Sequence, residues 1–268
     1  MRYSSEATVG YNPRMLRTAL AMVMLALVAC QTVPITGRSQ LMLISEGEEV
    51  QLGLTSYQEI LTKSRVSTDA RLNEQVTRVG RRVAQAAERS DYQWEFKVID
   101  DKQANAFCLP GGKVAVYTGI LPITRDDAGL AAVLAHEVAH ATARHGGERL
   151  SQQMAVQGLT AVGTQTLMAG RDPATVQLVG AALGVGASVG LLLPWGRGQE
   201  SEADHLGLVY MAKAGYHPSA ARDLWVRMGQ ASGGSGQPEF LSTHPSAATR
   251  VAQIEGWIPE ALQYYRPR

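Results

Sequence analysis

The sequence predicts an α+β domain that is mostly helical and carries a small sheet, and three observations lead there. Residues 69–88 place Leu72, Val76, Val79 and Val83 on one helical face. Residues 126–149 form a second long helical stretch, apolar on every side and therefore a buried helix. Against these stand two short strands, Trp94–Ile99 with alternating apolar and polar residues and Val114–Tyr117. With 268 residues, 45% hydrophobic and 18% charged, the chain is an ordinary folded protein with room for one large domain or two small ones. The net charge of +1 gives no electrostatic basis for binding nucleic acid, and none is expected as a partner.

Taken in order, the elements begin with a leader. Arg14 and Arg17 precede an apolar run from Thr18 to Ala29, too short to span a membrane comfortably, which ends in Leu27-Val28-Ala29-Cys30. That ending is similar to the lipobox of bacterial lipoproteins, so residues 1–29 are expected to be a lipoprotein signal peptide and Cys30 the lipidated first residue of the mature chain. Several acyl chains on one residue would make the membrane attachment effectively permanent. An ordinary signal peptide or an uncleaved anchor ending near a cysteine is the alternative. Cys108 would then be the remaining thiol, with no disulfide framework to join.

Residues 30–44 carry Pro34 and Gly37 and read as an irregular tether; the catalytic domain is expected over 45–268. Ser45 and Glu48 form a capping box that opens a helix to about Lys63. The second helix follows from Asp69 to about Glu88, then the strand at 94–99. The Pro110-Gly111-Gly112 turn leads into the strand at 114–117. Residues 155–196 are rich in Ala, Gly, Val and Leu, with no charge between Pro173 and Gly196, and their small residues recur at the spacing of packed membrane helices. A single membrane crossing there would place the metal ligands proposed below on opposite sides of a bilayer. A buried hairpin, a lid or a membrane-contacting loop is expected instead. No internal repeat is visible.

The chemistry sits at His136-Glu137-Val138-Ala139-His140. Residues i and i+4 of a helix point the same way, so both imidazoles can reach one tetrahedral zinc ion. Glu137 is placed beside them to take a proton from the attacking water. Leu130, Ala131, Val133, Leu134, Val138 and Ala139 make this helix apolar, and charged residues inside it need a reason. Catalytic zinc requires a third protein ligand. A glycine at 143 with a histidine at 146 would extend the motif, but Ala143 and Gly146 stand there. His145, five residues beyond His140, points off the metal face of a continuous helix and is expected to be exposed or hydrogen-bonded. The remaining option is Glu200-Ser201-Glu202-Ala203-Asp204, on a helix entered after Pro194. There Glu200 and Asp204 lie one turn apart, so one can bind zinc while the other orients a ligand histidine.

This pair of motifs resembles peptidase family M48, the gluzincins that include the CAAX prenyl endopeptidases, HtpX and the periplasmic lipoproteins BepA and LoiP. Further matching stretches are Thr36-Gly37-Arg38, Asn105 to Gly112, Arg197 to Asp204, Ala214-Gly215-Tyr216 and Thr243-His244-Pro245-Ser246. The resemblance covers nearly the whole mature chain. It implies a gluzincin-type fold with a cleft between the sheet and the active-site helix, one Zn2+ per chain, Glu200 as third ligand and Asp204 as its supporting carboxylate. It implies hydrolysis of peptide bonds in unfolded or misassembled envelope proteins. Gln31 after Cys30 favours the outer membrane, periplasmic face, with the outer-membrane assembly machinery as a partner. The rival is a chaperone or assembly factor with secondary proteolysis. Cys108 departs from the small apolar residue expected there, and the helical-repeat tail found in some members is not expected.

Further assignments follow. A strand edge in zinc proteases commonly pairs with extended substrate, and Asn105, Val114, Ala115 and Val116 are the residues expected to do so. Arg197 faces a carboxylate or caps a loop, and Trp195, Trp225 and Trp257 are expected in the core or at an interface. His244 precedes Pro245 and follows Gly233, Gly234 and Gly236, which suggests a mobile loop. It is a surface residue, an oxyanion donor, or a resting-state zinc ligand that closes the site.

Overall fold

The computed structural model describes residues 30–167, 193–231, 238–244 and 249–267, with a few residues between 171 and 181. The expected signal peptide, most of the charge-free stretch and the glycine-rich run before His244 lie outside the described residues.

The N-terminal segment is a hairpin, β1 (Cys30–Thr32) paired antiparallel with β2 (Ser39–Leu41). This corrects the expectation of an irregular tether. Val33, Gln40 and Met42 are buried, and Arg38 reaches carboxylates on two later helices. Strands this short are stabilised by what they pack against, not by their own pairing. Helix α1 (Glu46–Lys63) opens with the reciprocal Ser45 and Glu48 capping box. Helix α2 (Ala70–Ala86) is capped by Asp69, which accepts from the Arg71 and Leu72 N–H groups, and buries Val76, Val79 and Val83.

The sheet has three strands, β3 (Glu95–Ile99), β4 (Ala106–Leu109) and β5 (Lys113–Tyr117), in the order β3-β5-β4. β3 runs parallel to β5, and β4 antiparallel to it. α2 lies against β3, where a Cβ on Gly80 would fall 2.3 Å from the Phe96 ring, so only glycine allows this approach. A short turn, α3 (Leu121–Thr124), leads into α4 (Asp127–Thr142), whose N-cap Asp126 accepts from Gly129 N–H.

Every residue of α4 from Gly129 to Thr142 is buried. The helix packs against α2, β4 and, most extensively, α6 (Leu193–Lys213). The expected helix over 126–149 is in fact two. Ala143 ends α4, Arg144 turns into the left-handed region at φ 58, and α5 (His145–Leu167) starts afresh. A non-glycine residue there costs about 1–2 kcal/mol. Compensation comes from Arg144 itself, which donates to Glu49 at 2.7 Å, Gln31 at 2.6 Å and the Ile44 carbonyl at 3.2 Å. The chain closes with α7 (Ser219–Ala231), α8 (Glu239–Thr243) and α9 (Arg250–Ala261). Trp225 is buried in the core and Trp257 is partly buried against it. Among the described residues, no helix is long and apolar enough to cross a membrane.

Candidate metal centre and active site

Four side chains bring one ligand atom each to within 4.8 Å of one another: His136 and His140 from α4, Glu200 from α6 and His244 at the end of α8. His136 Nε2 lies 3.1 Å from His140 Nε2, and the Glu200 carboxylate lies 3.4 Å from each of those nitrogens. Zinc–ligand bonds of about 2.0–2.1 Å at tetrahedral angles set ligand atoms about 3.3 Å apart. The three proposed ligands therefore already stand at the corners a zinc ion requires. Two imidazoles and a carboxylate, all buried, converge on one point, with the Arg250 guanidinium at its rim, 3.3 Å from His136 Nε2 and 3.6 Å from Glu200. That donor set fits zinc.

The charges agree with the geometry. Burial alone would raise the Glu200 carboxyl, but the surrounding His140, His136 and His244 outweigh it and hold it far below the usual carboxylate range. Burial disfavours a charged His136, yet the Asp204 and Glu200 carboxylates prevail and lift its pKa to about 9. His140 goes the other way, because burial dominates and keeps its ring neutral. Burial pushes the Glu137 carboxyl up, partly offset by His244 and His136, which suits a group that must accept a proton and release it.

Each ligand histidine is held by its other nitrogen. Asp204 Oδ1 lies 3.0 Å from His136 Nδ1, and the Arg250 guanidinium grips Asp204 with Nε and with Nη2 at 2.8 Å. Arg250 also stacks over Trp225, with its guanidinium carbon 3.5 Å from the ring centroid. His140 Nδ1 meets His145 Nδ1 at 2.9 Å, and His145 Nε2 meets Glu202 at 3.0 Å. His145 is fully buried, so it is the hydrogen-bonded alternative and not the exposed one. On a continuous helix five residues would turn it about 140° away from His140. The left-handed turn at Arg144 brings it back. This supporting chain was not legible from spacing, nor was Arg250, because both depend on the break and on residues distant in sequence.

His244 is neither on the surface nor in the glycine-rich run. It caps α8, its N–H bonded to the Phe240 carbonyl at 2.9 Å, and its side chain is 12% exposed. Its Nδ1 lies 3.0 Å from Glu200 and 3.2 Å from His136 Nε2, and its Nε2 lies 3.2 Å from Glu137 Oε1. It therefore stands where a fourth ligand would stand.

One expectation fails. β5 is the central strand, both of its edges are filled, and Val114, Ala115 and Val116 are 0% exposed. Their backbone groups are committed to β3 and β4, so they cannot pair with substrate. The edge beside α4 belongs to β4, where the Cys108 N–H faces the Glu137 carboxylate and helps stabilise its charge. Asn105 stands at the entry to that strand, its Oδ1 accepting from Ala106 N–H at 2.9 Å. Cys108 itself is buried, and burial pushes its thiol well above the ordinary range.

Residues 70–258 match the description of Peptidase family M48. The chain belongs to that family. It is 39% identical over 233 residues to the "Mitochondrial metalloendopeptidase OMA1" of Schizosaccharomyces pombe, covering 85% of this chain and 66% of that one. Against the protein of the same name from Saccharomyces cerevisiae it is 31% identical over 251 residues, 87% of this chain and 70% of that one. The "Beta-barrel assembly-enhancing protease" of Escherichia coli K12 is 27% identical over 229 residues, 84% of this chain and 46% of the relative. This chain thus spans 46% to 70% of the length of these curated relatives. The fold is mostly helical with small sheets, and the chain is a metallopeptidase by family.

Proposed function

We propose that this chain is a zinc endopeptidase of the bacterial envelope, carried on the periplasmic face of the outer membrane by lipidated Cys30, which degrades unfolded or misassembled proteins there. One observation carries the catalytic part: His136, His140 and Glu200 converge at 3.1–3.4 Å beside the buried Glu137 carboxylate. Leu27-Val28-Ala29-Cys30 and the similarity to a protease whose name refers to β-barrel assembly support the location and the substrate class, although other relatives carry mitochondrial names.

One zinc ion per chain would be held by His136, His140 and Glu200, and it would supply Lewis-acid polarisation of the water and of the scissile carbonyl. The rest falls to the protein. Asp204 fixes the His136 tautomer by taking its Nδ1–H, so that Nε2 presents a lone pair. Glu137 takes a proton from the attacking water and returns it to the leaving amine. The free edge of β4 takes the extended substrate backbone in place of β5, and backbone pairing leaves sequence preference loose. His244, standing among the ligand atoms, closes the resting site and withdraws when substrate enters.

The test is metal analysis of the purified full chain together with digestion of an unfolded outer-membrane protein. Wild type should hold about one zinc and cleave. Glu137→Gln should hold zinc and not cleave, and Glu200→Ala should lose the metal. Stoichiometric zinc in Glu200→Ala, or undiminished cleavage by Glu137→Gln, would overturn the assignment. If Glu137→Gln fully restored function to a deletion strain, a holding role and not proteolysis would be the physiological activity. Incorporation of labelled fatty acid into wild type but not Cys30→Ser tests the anchor.

A further inference from the structure

We infer that Arg38 and Thr36, in the hairpin directly after Cys30, are positioning residues for the zinc ligand His140, acting through Glu202 and His145. The inference rests on the zinc site proposed above.

The hydrogen bonds allow only one consistent direction. To bind a metal through Nε2, His140 must carry its proton on Nδ1, and that proton points at His145 Nδ1, 2.9 Å away. His145 must then accept on Nδ1 and carry its own proton on Nε2, which faces Glu202 at 3.0 Å. Glu202 is thus the terminal acceptor, and its placement decides the tautomer of both rings. Two donors hold Glu202 in place. Arg38 Nε donates to it at 2.7 Å, and the Thr36 hydroxyl donates to its other oxygen. The same guanidinium places its two terminal nitrogens on Glu148, each at 2.7 Å, and Gln199 donates to Glu148 at 2.8 Å. Glu202 and Glu148 are both buried, so neither carboxylate can find a replacement partner in water if Arg38 leaves. His136 has a carboxylate directly on its ring, whereas His140 depends on this longer path, which ends outside the 70–258 family match.

Supporting residues of ligand histidines typically change metal affinity by about 10–100-fold. In the full chain, Arg38→Ala and the isosteric Thr36→Val should each weaken zinc, measured by competition with a chelator, with Arg38→Ala losing about 10–100-fold and Thr36→Val less. With cobalt in place of zinc, the visible absorption should shift in both, since it reports the ligand field directly. In a His145→Asn background, Arg38→Ala should add no more than about twofold, because the path is already cut. Arg89→Ala, which breaks the ion pairs of Arg89 with Glu46 and Asp91 far along the chain from the ligands, controls for general loosening and should leave zinc affinity unchanged. Zinc affinity and cobalt spectra matching wild type in folded Arg38→Ala and Thr36→Val would overturn the inference, as would a full Arg38→Ala effect persisting in the His145→Asn background. If Arg38→Ala does not fold, Thr36→Val alone decides. A wild-type chain that takes up no zinc would instead overturn the metal site itself.

Discussion

Metal uptake by this chain should be strongly and predictably pH-dependent between pH 7 and 9. His136 is the reason. In the metal-free protein its pKa is raised to about 9, because the Asp204 and Glu200 carboxylates outweigh the effect of burial. A ligand histidine must be deprotonated at the nitrogen that binds, so below pH 9 zinc has to displace a proton from this ring. His140 contributes no such proton, since burial keeps it neutral. The sign follows: affinity should climb about tenfold per pH unit from 7 to 9 and then level off. At pH 7 the proton lowers zinc affinity by about two orders of magnitude, or about 3 kcal/mol at 1.36 kcal/mol per unit. The same ring gives the metal-free protein stability that is fully present below pH 6.5 and lost as pH rises through 9. Calorimetric titration of zinc in buffers of different ionisation enthalpy measures the affinity and the proton release, and about one proton should be released per zinc near pH 7.5. Affinity that is flat from pH 7 to 9, with no proton released, would refute the reasoning and show that His136 is neutral before metal arrives.

Other perturbations test other parts of the structure. His244→Ala should raise basal turnover on a short unstructured peptide if its ring closes the site, whereas a fall in kcat at unchanged zinc affinity would mark it as an oxyanion donor. Arg250→Ala leaves the buried Asp204 with His136 but without its guanidinium, and should cost about 1.5–3 kcal/mol in chemical denaturation, more than a surface arginine. Two adjacent glycines should behave oppositely. A Cβ on Gly147 would fall 1.2 Å from Glu49 Oε1 and displace the carboxylate that holds Arg144, so Gly147→Ala should lower Tm by about 6–20 °C. Gly146→Ala meets nothing within 4 Å and should raise stability by up to about 1 kcal/mol.

The proposed ligands and base were legible because helical spacing is rigid. His136 and His140 one turn apart, and Glu200 and Asp204 one turn apart, can be read without knowing the fold. What could not be read is whatever depends on a departure from regularity. Nothing in Ala143-Arg144-His145 announces a left-handed residue, since no glycine or asparagine stands there, so His145 was expected to face away. The strand at 106–109 was hidden inside a sequence motif, and with it the sheet order, which put β5 at the centre instead of the edge. The hairpin at 30–41 looked like a tether because Pro34 and Gly37 are turn residues. Its order comes from Arg38 meeting Glu148 and Glu202, more than a hundred positions on by sequence separations of 110 and 164.

Arg250, which grips Asp204, comes from α9, and Arg38, which grips Glu202, from the loop of the β1–β2 hairpin, so they lie near the two ends of the described chain. A polypeptide that emerges N-terminus first therefore presents its His-Glu-x-x-His helix long before α9 exists to steady Asp204. Contacts of such long sequence separation form late, after the loops between them have closed. A protease built this way has an internal safeguard in time: an incomplete chain has no assembled centre with which to cut itself or its neighbours.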